Sequence, residues 1–167
     1  MKQMTEKNLK DAFAGESQAH MRYMVYADLA QREKLANIAR LFRAATFSEQ
    51  MHATNHLRAL GGAGKTVPNL EAALGGETFE ITEMYPAYIE VAGTQEEKKA
   101  QDSMEDALQA EKVHAQLYTQ ALEAAKAGKD MELGKVWVCS VCGFTMEGEA
   151  PDRCPVCNTP HNRFQEF

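Results

Sequence analysis

Four cysteines lie in the C-terminal part of the chain in two pairs, Cys139-x-x-Cys142 and Cys154-x-x-Cys157. Each pair has the spacing of a hairpin knuckle, and two knuckles can deliver four thiolates to one ion in a tetrahedral arrangement. In a reducing compartment such clustering indicates metal binding rather than a disulfide framework. Zinc and iron both accept four thiolates, so the spacing alone leaves the metal open.

A second group of metal-ligand types repeats along the rest of the chain. The motif Glu-x-x-His occurs twice, as Glu49-x-x-His52 and Glu111-x-x-His114. On a helix, residues three apart leave the same face, so each motif offers an oxygen and a nitrogen together. Glu16 precedes the first motif by 33 positions and Glu80 precedes the second by 31. This repeat predicts two helix pairs related by a pseudo-twofold axis.

These glutamates and histidines fall on stripes that otherwise carry apolar residues. A buried carboxylate costs several kcal/mol unless it is paired or coordinates a metal. Glu80 and Glu83, three positions apart on the third predicted helix, complete the set. The pattern therefore predicts a shared two-metal site inside a helical bundle, as in carboxylate-bridged di-metal bundles.

The elements that must position this site are four long amphipathic helices. We expect them at about 5–33, at 36–60, from either 69 or 77 to 93, and at 94–128. Thr5 is expected to cap the first helix, and Thr94 with Glu97 to form a capping box for the fourth. Pro86 should kink the third helix because it lacks a backbone donor.

The helical pattern ends where Gly128 and Gly134 appear, so we expect a bundle at 1–130 and a small metal-binding module at 131–167. The module's predicted core is aromatic: Trp137, Phe144, Phe164 and Phe167.

Lys and Arg total 18 against 24 Asp and Glu, for a net charge of −6. This balance argues against nucleic acid and anionic membranes as partners. Without a signal peptide or a membrane-length apolar run, we expect a cytoplasmic protein.

Several segments together resemble the rubrerythrin family, and the resemblance covers nearly the whole chain. They are AFAGESQAHMRY, SEQMH, GETFEITEMYP, AEKVH, WVCSVCGF and CPVCNTP. The resemblance implies a mainly α fold, with a four-helix ferritin-like bundle followed by a rubredoxin-like module. It also implies di-iron ligands at Glu16, Glu49, His52, Glu80, Glu83, Glu111 and His114, and a mononuclear iron on Cys139, Cys142, Cys154 and Cys157. His52 and Glu83 would be alternative ligands that exchange when the iron is oxidised.

By the same resemblance, the function would be that of a non-haem di-iron peroxidase that reduces hydrogen peroxide to water. Electrons would pass through the rubredoxin-like iron from rubredoxin or from a reductase that uses reduced nicotinamide. Two alternatives remain open on the sequence: a ferritin-like ferroxidase that handles iron, and a structural protein with a zinc ribbon. Zinc can also substitute for iron in either site of a peroxidase.

The connection between the second and third helices is short for a bundle of this type, in which those helices run parallel. About eight residues separate Leu60 from Asn69, and they reach about 30 Å, against about 36 Å for the return along a helix. We therefore expect a homodimer that exchanges helix pairs. A third helix that starts after Gly76 would lengthen the link by about seven residues and allow a single-chain bundle.

Overall fold

The computed structural model of the protein describes residues 1–167, which divide into two compact units, Met1–Gly64 and Lys65–Phe167. The first unit is a hairpin of two helices, α1 at Gln3–Arg32 and α2 at Ala36–Ala59. Its most buried residues are all alanines: Ala19, Ala27, Ala30, Ala39 and Ala53. Small side chains at these positions let the two helix backbones approach closely.

The second unit begins with a long helical segment that contains a π-helical turn. Helix α3 spans Thr66–Phe79, the π turn spans Glu80–Met84, and α4 spans Tyr85–Thr94. Helix α3 therefore starts before both predicted positions, and a start after Gly76 is excluded. The π turn ends two residues before Pro86, which cannot donate the backbone bond that an α-helix would need there.

Helix α5 follows at Lys98–Lys126 and packs against α3 and α4. The structure is mainly α and has four long helical segments if α3 to α4 is counted as one. This confirms the predicted fold class.

The predicted caps are wrong. Helix α1 begins ahead of Thr5, and the hydroxyl of Thr94 bonds to the Glu90 carbonyl inside α4 instead of capping α5.

The two helix-helix corners have the same backbone conformation. Lys34 joins α1 to α2 with φ 63°, and Glu96 joins α4 to α5 with φ 58°. At each corner the following residue donates a backbone hydrogen bond to a carbonyl five positions earlier: Leu35 to Ala30, and Glu97 to Ala92. The repeat seen in the ligand spacing therefore extends to the turns that set the helix directions.

The C-terminal module contains a three-stranded antiparallel sheet in the order β2-β1-β3. Its strands are β1 at Val136–Cys139, β2 at Thr145–Glu147 and β3 at Phe164–Glu166. Three of the four predicted core aromatics are partly buried, but Phe167 is 70% exposed. The predicted boundary at 130/131 stays a prediction; it falls between the end of α5 and the start of β1.

None of the helices combines the length and apolar character needed to cross a membrane.

Candidate metal centres

The first unit brings together Glu16 from α1 with Glu49 and His52 from α2. One donor atom from each of the three lies within 4.8 Å of the others. Nδ1 of His52 is 3.0 Å from Oε2 of Glu49, as the i, i+3 spacing predicts. The carboxylates are half-buried and His52 is exposed. The cluster therefore offers two oxygens and a nitrogen with an open side.

The second unit brings together Glu77 from α3 with Glu111 and His114 from α5, again within 4.8 Å. Nδ1 of His114 is 2.7 Å from Oε2 of Glu111 and 3.9 Å from Oε1 of Glu77. All three residues are half-buried. The two clusters thus have the same composition, two glutamates and one histidine, in the same helix arrangement.

Electrostatics in the second cluster favour a cation. Burial, a hydrogen bond with Glu111 and the charges of Glu111 and Glu80 raise the pKa of Glu77 to about 7. Burial and the charge of Glu111 also raise the pKa of Glu80, against a smaller opposing effect of His114. Carboxylates forced together in this way repel one another when ionised, and a divalent ion between them removes the repulsion.

The glutamates of the third predicted helix are distributed differently from the sequence expectation. Glu77, which the sequence reasoning missed, is in the cluster; Glu80 lies beside it, within the electrostatic range of Glu111 and His114. Glu83 is exposed and belongs to neither cluster. A usable signal existed, because Glu77 precedes Glu111 by 34 positions, close to the 33 between Glu16 and Glu49. The roles of Glu80 and Glu83 as ligands remain predictions.

The four cysteines converge in the C-terminal module, and their sulfurs lie within 4.8 Å of one another. Cys139 Sγ is 3.7 Å from Cys157 Sγ, and Cys142 Sγ is 3.6 Å from Cys154 Sγ. Sulfurs placed about 2.3 Å from a central tetrahedral ion are about 3.8 Å apart. The cluster therefore fits one ion held by four thiolates.

Backbone amides prepare this site for negative charge. Burial raises the pKa of the Cys139 thiol, but hydrogen bonds from the amides of Cys142 and Val141 and from the Cys142 and Cys157 side chains together outweigh it and lower that pKa overall. Burial raises the pKa of Cys142 and Cys157, each of which also receives a backbone hydrogen bond that opposes the effect. A metal cation offsets the cost of burying these thiolates.

Carboxylate/histidine clusters on long paired helices, joined to a four-thiolate module, define a non-haem metalloprotein of the ferritin-like class. The rubrerythrin family model matches residues 7–122, and the model of the rubredoxin-like domain of rubrerythrin matches residues 137–165. The chain therefore belongs to the rubrerythrin family.

Individual relatives match along almost the full chain. Rubrerythrin-2 of Clostridium acetobutylicum is 42% identical, over 98% of this chain and 97% of its own length. Nigerythrin of Nitratidesulfovibrio vulgaris is 33% identical, over 98% of this chain and 86% of its own. A solved structure of nigerythrin in a mixed-valence state aligns with a TM-score of 0.56 at 31% identity, over 98% of this chain and 86% of that one. A fully reduced, all-ferrous nigerythrin structure aligns equally well.

Family membership and the donor sets together confirm the predicted iron cofactors. The chain carries the carboxylate/histidine di-iron site and the rubredoxin-like four-cysteine iron site of this family. The match to the rubredoxin-like domain favours iron over the zinc-ribbon alternative at the four cysteines.

Proposed function

We propose that this protein is a peroxidase that reduces hydrogen peroxide to water with electrons supplied through its four-cysteine site. The observation that supports the proposal is the presence on one chain of two kinds of redox-capable site, the helical carboxylate/histidine clusters and the four-thiolate module. When bound, two ferrous ions supply the two electrons that reduction of one peroxide molecule requires.

The residues of the helical clusters would hold the metals. Glu77 and Glu111 share a hydrogen bond, so the two carboxylates lie close enough to bind the same ion. Tyr85 lies near these carboxylates, and burial together with the charges of Glu80 and Glu111 raises its pKa. Its hydroxyl therefore keeps its proton and can donate a hydrogen bond to a peroxide oxygen.

The cysteine module would store one electron at a time. The amides that bond to the thiolates stabilise negative charge on sulfur, which is one of the levers that set the potential of an iron-thiolate site. We propose rubredoxin or a reductase that uses reduced nicotinamide as the electron donor. Its identity and the cytoplasmic location stay predictions.

The choice of oxidant tests the proposal. Iron-loaded protein is reduced, then mixed in a stopped-flow instrument with stoichiometric peroxide or oxygen, and the visible absorption of the ferric thiolate site is followed. We expect much faster reoxidation by peroxide. Faster reoxidation by oxygen would favour the ferroxidase alternative and end the peroxidase assignment.

The same assay tests the role of the cysteines. Cys157→Ser should abolish turnover driven by the reductase, whereas the chemically reduced helical site should still consume stoichiometric peroxide. Glu149→Ala, at an exposed position of the same module outside both cysteine pairs, is the control and should turn over normally. Normal turnover in Cys157→Ser would assign the module a purely structural role.

We further propose a homodimer in which each two-iron site takes its halves from different chains. A site of this class uses one Glu from each of two helices and a Glu-x-x-His motif from each of the other two, and each unit of this chain supplies half of that set. Residues 60–65 link α2 to α3 and reach about 20 Å at full stretch, whereas a return along α2 needs about 36 Å. A short link suits exchange of helix pairs between two copies.

A further inference from the structure

Thr145, the first residue of β2, is a buried polar residue where the cysteine module meets α5. Only 5% of its surface is exposed. Its hydroxyl oxygen is 2.8 Å from Nε2 of His114 and 3.1 Å from the carbonyl oxygen of Gly143. A buried hydroxyl needs hydrogen-bond partners, and both partners of Thr145 belong to groups next to a metal centre.

The proton count fixes the direction of these bonds when a metal is bound to His114. A hydroxyl carries one hydrogen, and a carbonyl can only accept, so the Thr145 hydroxyl donates to Gly143. It then accepts from the Nε2–H of His114. Nδ1, which lies 2.7 Å from Oε2 of Glu111, then carries the lone pair that a metal would bind in place of that contact. Thr145 thus holds the histidine in the tautomer and ring orientation that a metal ligand requires.

The other end of this link lies inside the first cysteine knuckle. Gly143 directly follows Cys142, and its amide donates to the carbonyl of Cys139 at 2.9 Å. A continuous path of covalent and hydrogen bonds therefore runs from Cys142 through the Gly143 carbonyl and the Thr145 hydroxyl to the His114 ring. Electron tunnelling weakens less along such bonds than across an unbonded gap.

We propose that Thr145 is a positioning residue that couples the four-cysteine site to the helical iron site to which His114 of the same chain contributes. The proposal rests on the electron delivery proposed above. In that step one electron leaves the ferrous thiolate site, which becomes ferric, and reduces one ferric ion of the helical site to ferrous. No proton or heavy atom is transferred, and the Thr145 hydroxyl keeps its hydrogen.

Thr145→Val and Thr145→Ser separate the hydroxyl from the shape of the side chain. Valine keeps the shape and removes the hydroxyl, whereas serine keeps the hydroxyl. Thr119→Val is the matched control, because the Thr119 hydroxyl is exposed on α5 and bonds only to the Ala115 carbonyl of its own helix. Iron content and the Mössbauer spectrum of the helical site are recorded first for each variant.

A light pulse with a photoreductant then places an electron on the thiolate site of the fully ferric protein, and the return of its visible absorption reports transfer to the helical site. We expect Thr145→Val to slow this return about tenfold or more, with Thr145→Ser and Thr119→Val close to the original rate. Peroxide takes no part in this measurement, so its result is independent of the peroxidase proposal.

An unchanged rate in Thr145→Val with both sites filled would overturn the inference. Equal slowing in Thr145→Val and Thr145→Ser would also overturn it, because the effect would then follow packing rather than the hydroxyl. If Thr145→Val instead loses helical iron or alters its Mössbauer signature while Thr145→Ser and Thr119→Val do not, the positioning of His114 is supported directly.

Discussion

At the scale of single residues, the second cluster takes Glu77, and not Glu83, from the α3 to α4 segment. Glu77 and Glu80 are three positions apart and share a helix face up to the start of the π turn. A π turn adds one residue to the turn, which rotates the following side chains by about 100° relative to a continuous α-helix. Glu83 lies within that turn and is exposed, whereas Glu77 lies in the cluster with Glu111 and His114.

We therefore predict different outcomes for Glu77→Ala and Glu83→Ala. Loss of Glu77 removes one of the three donors of its cluster and should strongly reduce iron in the helical site; loss of Glu83 should leave that iron in place. Iron analysis provides the measurement, with the visible absorption of the cysteine site as the internal standard. The opposite ranking would favour Glu83 as a ligand, as the resemblance to the rubrerythrin family implies.

At the scale of elements, the helix directions depend on two corners that use non-glycine residues in left-handed conformation. Lys34 and Glu96 both have φ near 60°, which costs an ordinary residue roughly 1 kcal/mol. The corresponding position after α2 is Gly61, with φ 72°, where glycine avoids that cost. The two corners are thus sites where stability has not been maximised.

Lys34→Gly and Glu96→Gly should each stabilise the protein, by about 0.5 to 1 kcal/mol. The measurement is thermal or denaturant unfolding of the iron-loaded protein. Glu33→Gly is the control: Glu33 precedes Lys34 with an ordinary φ of −75°, so glycine there should destabilise. Destabilisation by Lys34→Gly and Glu96→Gly as well would show that side-chain contacts, not backbone conformation, set the stability of the corners.

At the scale of the whole molecule, the α1–α2 unit has too little buried surface to be stable alone. Its buried residues are alanines, while Leu41 and Phe47 are 67% and 63% exposed. Isolated helices gain most of their stability from tertiary packing of an apolar face. In the proposed homodimer, a second copy of the chain would supply that packing together with the other half of each two-iron site.

Mixed refolding of two variants tests the exchange of helix pairs. One variant lacks Glu49 and His52, and the other lacks Glu111 and His114. In an exchanged heterodimer, one site combines the intact halves of both chains, so helical iron and peroxide consumption should return on mixing. A single-chain bundle would have a defective half in every site and recover nothing. Each variant refolded alone is the control.

The sequence by itself determined the candidate ligand types, the metal-binding cysteine pairs and the four helical segments, because each depends on short-range spacing that a helix or a knuckle converts directly into geometry. The Glu-x-x-His motifs and the two cysteine pairs form the clusters that their spacing predicts. Their repeat in sequence reappears in the matched corners at Lys34 and Glu96.

Only the tertiary structure decided which glutamate joins Glu111 and His114, where α3 begins, and what the Nε2 atom of His114 touches. The choice of glutamate depends on the rotation that the π turn introduces before Pro86, and hydrophobic periodicity does not reveal such a turn. The contact of the His114 Nε2 atom with Thr145 joins residues 31 positions apart, one in an α-helix and one in a strand. A contact of that kind follows from how the module packs on α5, and no local spacing encodes it.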